Sequence, residues 1–141
     1  MLEIVPPPVG EALGSAAMQS GGRCYLVYAL APEGTSPREA NDLLNAYVAD
    51  DSRGLAVWHD HFIGAHGGAV VLHVRSDAER ALLEDPGPLA GWRLAVHPLM
   101  YSLTAVGFAA LTPFTLEKYR GVGLDELAAA EPDDPRYWWR T

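Results

Sequence analysis

The sequence predicts an α+β domain: an antiparallel sheet of four strands with two helices on one face. Three observations carry this reading. Short apolar runs stop at Pro and Gly clusters, as strands do. Two helix starts, Ser36 to Glu39 and Ser76 to Glu79, each pair a serine with a glutamate three residues on. The order of these segments along the chain is β-α-β-β-α-β. With 141 residues, 49% of them apolar, there is enough material for one core.

The run Cys24-Tyr25-Leu26-Val27-Tyr28-Ala29-Leu30 is apolar or aromatic throughout and stops at Pro32-Glu33-Gly34, the pattern of a strand buried on both faces. Ser36-Pro37-Arg38-Glu39 supplies a cap, a proline at the first helical position and a glutamate placed to close a capping box. Ala40, Leu43, Leu44, Tyr47 and Val48 then recur at the spacing of one helix face, with Arg38, Asn41, Asp42 and Asn45 largely opposite, until Gly54 ends the pattern. Leu55 to Ile63 and Ala69 to Arg75 read as a hairpin, with Gly64, Gly67 and Gly68 in its loop. Ser76 caps a short helix reaching Glu84, which Pro86-Gly87-Pro88 breaks. From Arg93 to Thr104 the chain is extended, and Pro98 restricts that strand to an edge or a bulge. Pro113 to Arg120 reads as a turn or a short helix. The expected domain, residues 23–106, is flanked by a Pro- and Gly-rich leader (1–22) and a C-terminal extension (107–141) ending in Tyr137-Trp138-Trp139.

Charge and composition narrow the function classes. Ten basic against 18 acidic residues give a net charge of −8, which opposes a nucleic-acid backbone or an anionic membrane surface. No run reaches the ~18 apolar residues of a membrane span, and no signal-peptide pattern opens the chain, so a cytoplasmic protein is expected. Cys24 is the only cysteine; an intrachain disulfide is impossible, and its apolar setting suits a buried small hydrophobe.

Four of the five histidines fall in the hairpin, at His59, His61, His66 and His73. Imidazole titrates nearest neutrality and ligates metals, so this is where chemistry is expected. Which residues of the second hairpin strand join His59 and His61 depends on loop parity, because a shift of one residue turns a strand over. The preferred parity sets His73 and Arg75 beside His61 and His59, and sends Val70, Leu72 and Val74, with Trp58 and Phe62, to the helix side. The alternative groups Asp60 with His73 and Arg75 and puts His59 and His61 under the helices, where two ionisable rings would need partners. Under the preferred parity the candidate catalytic groups are His59, His61, His73 and Arg75, an imidazole acting as general base and Arg75 stabilising an anion. Tyr28, Trp58 and His97 are the candidate ligand contacts of a largely apolar pocket. This chemistry needs no cofactor. The alternative is a divalent transition metal on His59, His61 and His73, since histidines two apart on a strand project the same way. His66, beside Gly67-Gly68, reads as a loop residue. The plain alternative for all of them is ordinary strand histidines, hydrogen-bonded or partly solvated.

The element order over Cys24 to Thr104 is that of a ferredoxin-like plait, which leaves one sheet face uncovered. Strands one, three and four are apolar at consecutive positions, so that face is expected to be buried as well, most simply by a second copy. In this order and its capping signals the chain resembles the dimeric α+β barrel superfamily, which includes antibiotic-biosynthesis-type monooxygenases and EthD-like and YciI-like proteins. The resemblance implies a homodimer whose sheets enclose a small apolar or aromatic molecule. It further implies a cofactor-free monooxygenase or isomerase, with a non-catalytic binding or structural dimer module as the alternative, and an arm beyond Gly107 exchanged between subunits. Haem-degrading members present an iron-ligating histidine from a helix, and neither expected helix contains one.

Overall fold

The apolar runs form one four-stranded antiparallel sheet in the computed structural model, which describes residues 22–130. Its strands are β1 (Arg23–Leu30), β2 (Leu55–His61), β3 (Gly67–Val74) and β4 (Arg93–Pro98), in the order β2-β3-β1-β4. The helices are α1 (Pro37–Ala49), α2 (Asp77–Ala81), α3 (Ala105–Arg120) and α4 (Leu124–Ala130). The cluster Tyr137-Trp138-Trp139 and the end of the expected exchanged arm lie outside the described residues, as does most of the expected leader. Among the described residues no helix is long and apolar enough to cross a membrane.

Helix α1 starts where the capping pattern places it. Ser36 Oγ accepts the Glu39 N–H at 3.1 Å, and Pro37 opens the first turn. Ala40, Leu44 and Tyr47 are buried from this helix, and Leu44 and Tyr47 pack with Val27, Ala29, Val70, Leu72 and Val74 of the sheet. At its C-terminal end Asp50 caps a 3-10 turn, Asp51–Arg53, by accepting the Ser52 N–H. That bond, with help from Arg53, holds the Asp50 carboxyl below its ordinary pKa.

Arg53 is buried, an unusual place for a guanidinium. Its Nη1 donates to Asp50 at 2.9 Å, its Nε to the Asp85 carbonyl at 2.7 Å, and its plane lies 4.9 Å from the Tyr47 ring centre. One side chain thus ties the end of α1 to the loop that follows α2. Gly87 stands there at φ 54°, a backbone conformation that favours glycine, and a Cβ at this position would also press on the guanidinium.

Three segments depart from the sequence reading. Strand β4 stops at Pro98 instead of running to Thr104, because a proline has no N–H to continue the ladder. The chain turns back instead: the Leu99 N–H donates to the Cys24 carbonyl and the Cys24 N–H to that of Ser102. Thr104 then caps α3, its Oγ1 accepting the Gly107 N–H at 3.1 Å. Helix α3 therefore begins eight residues before Pro113 and runs through it, losing one hydrogen bond where a turn or short helix was expected. It also crosses the expected domain boundary between 106 and 107. The second helix, α2, has five residues and ends at Ala81 rather than Glu84.

Candidate functional site

The register of the sheet sorts every candidate residue onto one of two faces. Directly paired residues share a face, so the pairs can be read across as rows. On the face covered by α1, His61 lies in line with Gly68, Ala29 and Leu94, and His59 with Val70, Val27 and Val96. On the opposite, open face, Asp60 lines up with Ala69, Tyr28 and Ala95, and Trp58 with Val71, Leu26 and His97. The next open-face row is Leu55, His73 and Cys24.

The preferred hairpin parity is therefore corrected. Phe62 donates its N–H to the Gly67 carbonyl and His61 pairs with Gly68, an even loop that turns β2 over. A bulge between Ala56 and Trp58 then shifts the register, so that Leu55 meets His73. The apolar row Val70, Leu72 and Val74 faces the helices as expected, but Trp58 and Phe62 face away from them. His59 and His61 are on the α1 face and His73 on the other, so these three cannot converge on one metal ion. Among the described residues no group of three or more His, Cys, Asp or Glu side chains is placed to hold one.

His59 and His61 avoid the cost of a dry core because β2 is an edge strand. His59 is exposed, and the two rings meet edge to face at 5.4 Å. His61 is held by two helix side chains: its Nδ1 lies 3.0 Å from Asn41 Oδ1 and its Nε2 3.0 Å from Asn45 Oδ1. Burial and the neighbouring His59 lower its pKa, with Asp60 opposing. Asn41 and Asn45, read from helical spacing as solvent-facing, are thus the partners of a sheet-edge histidine.

His73 is committed to the fold. Its Nδ1 accepts the Ala105 N–H at 3.3 Å, tying the first turn of α3 to the open face. Burial lowers its pKa, as does the nearby Arg75, against the pull of Glu79. Arg75 lies past the end of β3 and pairs with Glu79 in the first turn of α2. Glu79 also accepts the Arg75 backbone N–H at 2.6 Å, and its carboxyl stays below the ordinary range. The four residues expected to form a catalytic group are thus separated: two on one face, one on the other, and Arg75 in a local ion pair.

The three expected ligand contacts do share a face. Tyr28 and Trp58 are 42% and 44% exposed there, with the Phe62 ring 5.1 Å from that of Tyr28. Trp58 and His97 stand on the outer strands, about 14 Å apart at the spacing of sheet strands. Ala69 and Val71 form a buried floor between them, with Leu26 and Ala95 half-buried. Cys24 is buried in the next row, and burial pushes its thiol pKa up to about 11, so it serves as a small hydrophobe.

His66 is the residue the sequence reading undervalued. Its Nδ1–H donates to the Thr35 carbonyl at 2.7 Å, and its own carbonyl accepts the Ala31 N–H at 2.9 Å. The one signal available was its position before Gly67, which lies close against β1: a Cβ there would overlap the Ala29 carbonyl. Comparison of the chain with protein-family models, curated proteins and solved structures finds no match.

Proposed function

We propose that the chain is one half of a dimeric α+β barrel that binds a small, mostly apolar organic molecule between two sheets. The observation that carries this reading is the open face, where Tyr28, Trp58 and His97 surround a floor of small and aliphatic residues. A flat apolar ligand would stack on the exposed Tyr28 and Trp58 rings above this floor, whose Ala69 and Val71 are already buried within the chain, and a few polar groups at its rim, Asp60, His97 and the Tyr28 hydroxyl, would orient it. The strand order, with α1 on one face only, is that expected of a ferredoxin-like plait and supports the assignment.

Helix α3 favours association with a second copy. Val106, Phe108, Leu111, Phe114 and Leu116 make it apolar on several sides, yet Gly107 is its only buried residue. Helices of that composition are ordinarily enclosed. The reading is binding rather than acid/base catalysis, because His61 and His73 already spend ring nitrogens on Asn41, Asn45 and Ala105.

Sedimentation of the wild type and of Trp58→Glu tests it. The expected result is a dimer that Trp58→Glu dissociates without loss of secondary structure, and His97 ring resonances that shift when a neutral two-ring aromatic is added to the dimer. A wild-type protein that sediments as a lone protomer at micromolar concentration overturns the proposal.

A further inference from the structure

At the end of the sheet, one row beyond Tyr28 and Ala95, lies a cavity of about 580 Å³, within the size range of small-ligand sites. Its walls come from three separate stretches of chain: the end of β1 and the turn after it (Leu30, Pro32, Glu33), the hairpin loop (His66) and the entry into β4 (Trp92, Arg93). None of these six was a candidate in the hairpin reading. The site does not require a second copy.

Three of its groups are polar and complementary to one kind of ligand. Among the described residues the Arg93 and Glu33 side chains have no hydrogen-bond or ion-pair partner, and they do not pair with each other although they line the same cavity. His66 is fixed in place: a carbonyl can only accept, so its Nδ1 carries the proton given to Thr35, and of its two ring nitrogens only Nε2 is left able to accept. The cavity therefore offers one guanidinium donor, one carboxylate and one imidazole acceptor, beside Leu30, Pro32 and the half-buried Trp92, whose side chain also packs against the core on the α1 side.

We propose that this cavity binds a zwitterion with an apolar or aromatic body, an α-amino acid of that type. Arg93 holds the carboxylate as a charge-assisted pair, while Glu33 and His66 Nε2 accept from the ammonium group. Leu30, Pro32 and Trp92 flank the ligand's side chain. The two unpaired charges also give selectivity by repulsion: Glu33 disfavours a plain carboxylate held at Arg93, and Arg93 disfavours a plain amine held at Glu33.

The test is a titration of the full chain with L-phenylalanine, phenylpropanoate and phenethylamine, followed at the His66 ring and Trp92 indole resonances. L-Phenylalanine is expected to shift both, with each singly charged analogue at least about tenfold weaker, the scale of one lost charge-assisted contact. Arg93→Gln should remove the preference for L-phenylalanine over phenethylamine, and Glu33→Gln the preference over phenylpropanoate. Both positions are exposed, so the variants should keep the parent's fold. If either does not, the three-ligand series on the wild type decides alone. Resonances that L-phenylalanine leaves unmoved, analogues that bind equally well, or an unchanged preference in both variants would overturn the assignment.

Discussion

The neutral form of His73 is a structural requirement, because Nδ1 can accept the Ala105 N–H only while it carries no proton. Burial and Arg75 place its folded pKa below the usual 6.5. A group lowered in this way contributes stability that is complete above the unfolded value and is lost as pH falls through it toward the folded value. His61, lowered by burial and by His59, adds to the same trend. The urea midpoint should therefore fall between about pH 7 and pH 5, the range in which imidazole titrates. His73→Asn, whose amide oxygen stands near the position of Nδ1, should keep the acceptor and fall less over that range. Equal slopes in the two proteins would remove His73 as the titrating group.

Close approach between elements depends on the two glycines that open β3. Gly68 pairs with Ala29 and His61 beneath α1, and a Cβ there would overlap the Asp60 carbonyl and come within 2.6 Å of Leu44 Cδ2. Neither neighbour moves cheaply, since one is sheet backbone and the other a core side chain. Gly68→Ala should cost about 2–3 kcal/mol, the usual penalty of overpacking, read as a lower urea midpoint. Gly123→Ala, with open space around the added methyl, should stay within about 0.5 kcal/mol of the parent. A tolerated Gly68→Ala would mean that α1 packs farther from β3 than the described contact requires.

Over the whole molecule, apolar side chains are divided unevenly. The α1 face of the sheet is closed by Leu44 and Tyr47, whereas Trp58 and Tyr28 on the other face remain partly in water. If a second copy covers them, folding and association are coupled, and the thermal midpoint should rise with protein concentration. Differential scanning calorimetry over about a hundredfold range would show it. A midpoint that stays constant, in a protein that sediments as a single chain, would leave the open face to a smaller ligand or another partner.

Local signals settled most of the elements. The serine caps at 36 and 76, the helical spacing from Ala40 to Val48 and the Pro and Gly stops place α1, α2 and β1 to β3 close to where they are found, because each depends on residues a few positions apart. The extent of α3 was missed because Pro113 drew the helix start toward itself, although Thr104 was already a competent cap. The composition of the site was not legible in the same way. A strand's faces are set by a single residue of register, and that register is fixed here by the four-residue turn at 63–66, after which Gly67 and Gly68 lie close against β1 and α1, and is shifted again by the bulge between Ala56 and Trp58. The amino-acid order by itself determined an α+β chain with a histidine-bearing hairpin. Only tertiary packing decided that His59 and His61 face α1, that His73 anchors α3, and that His66, Glu33 and Arg93 meet around one cavity, because those placements depend on contacts between segments far apart in the chain.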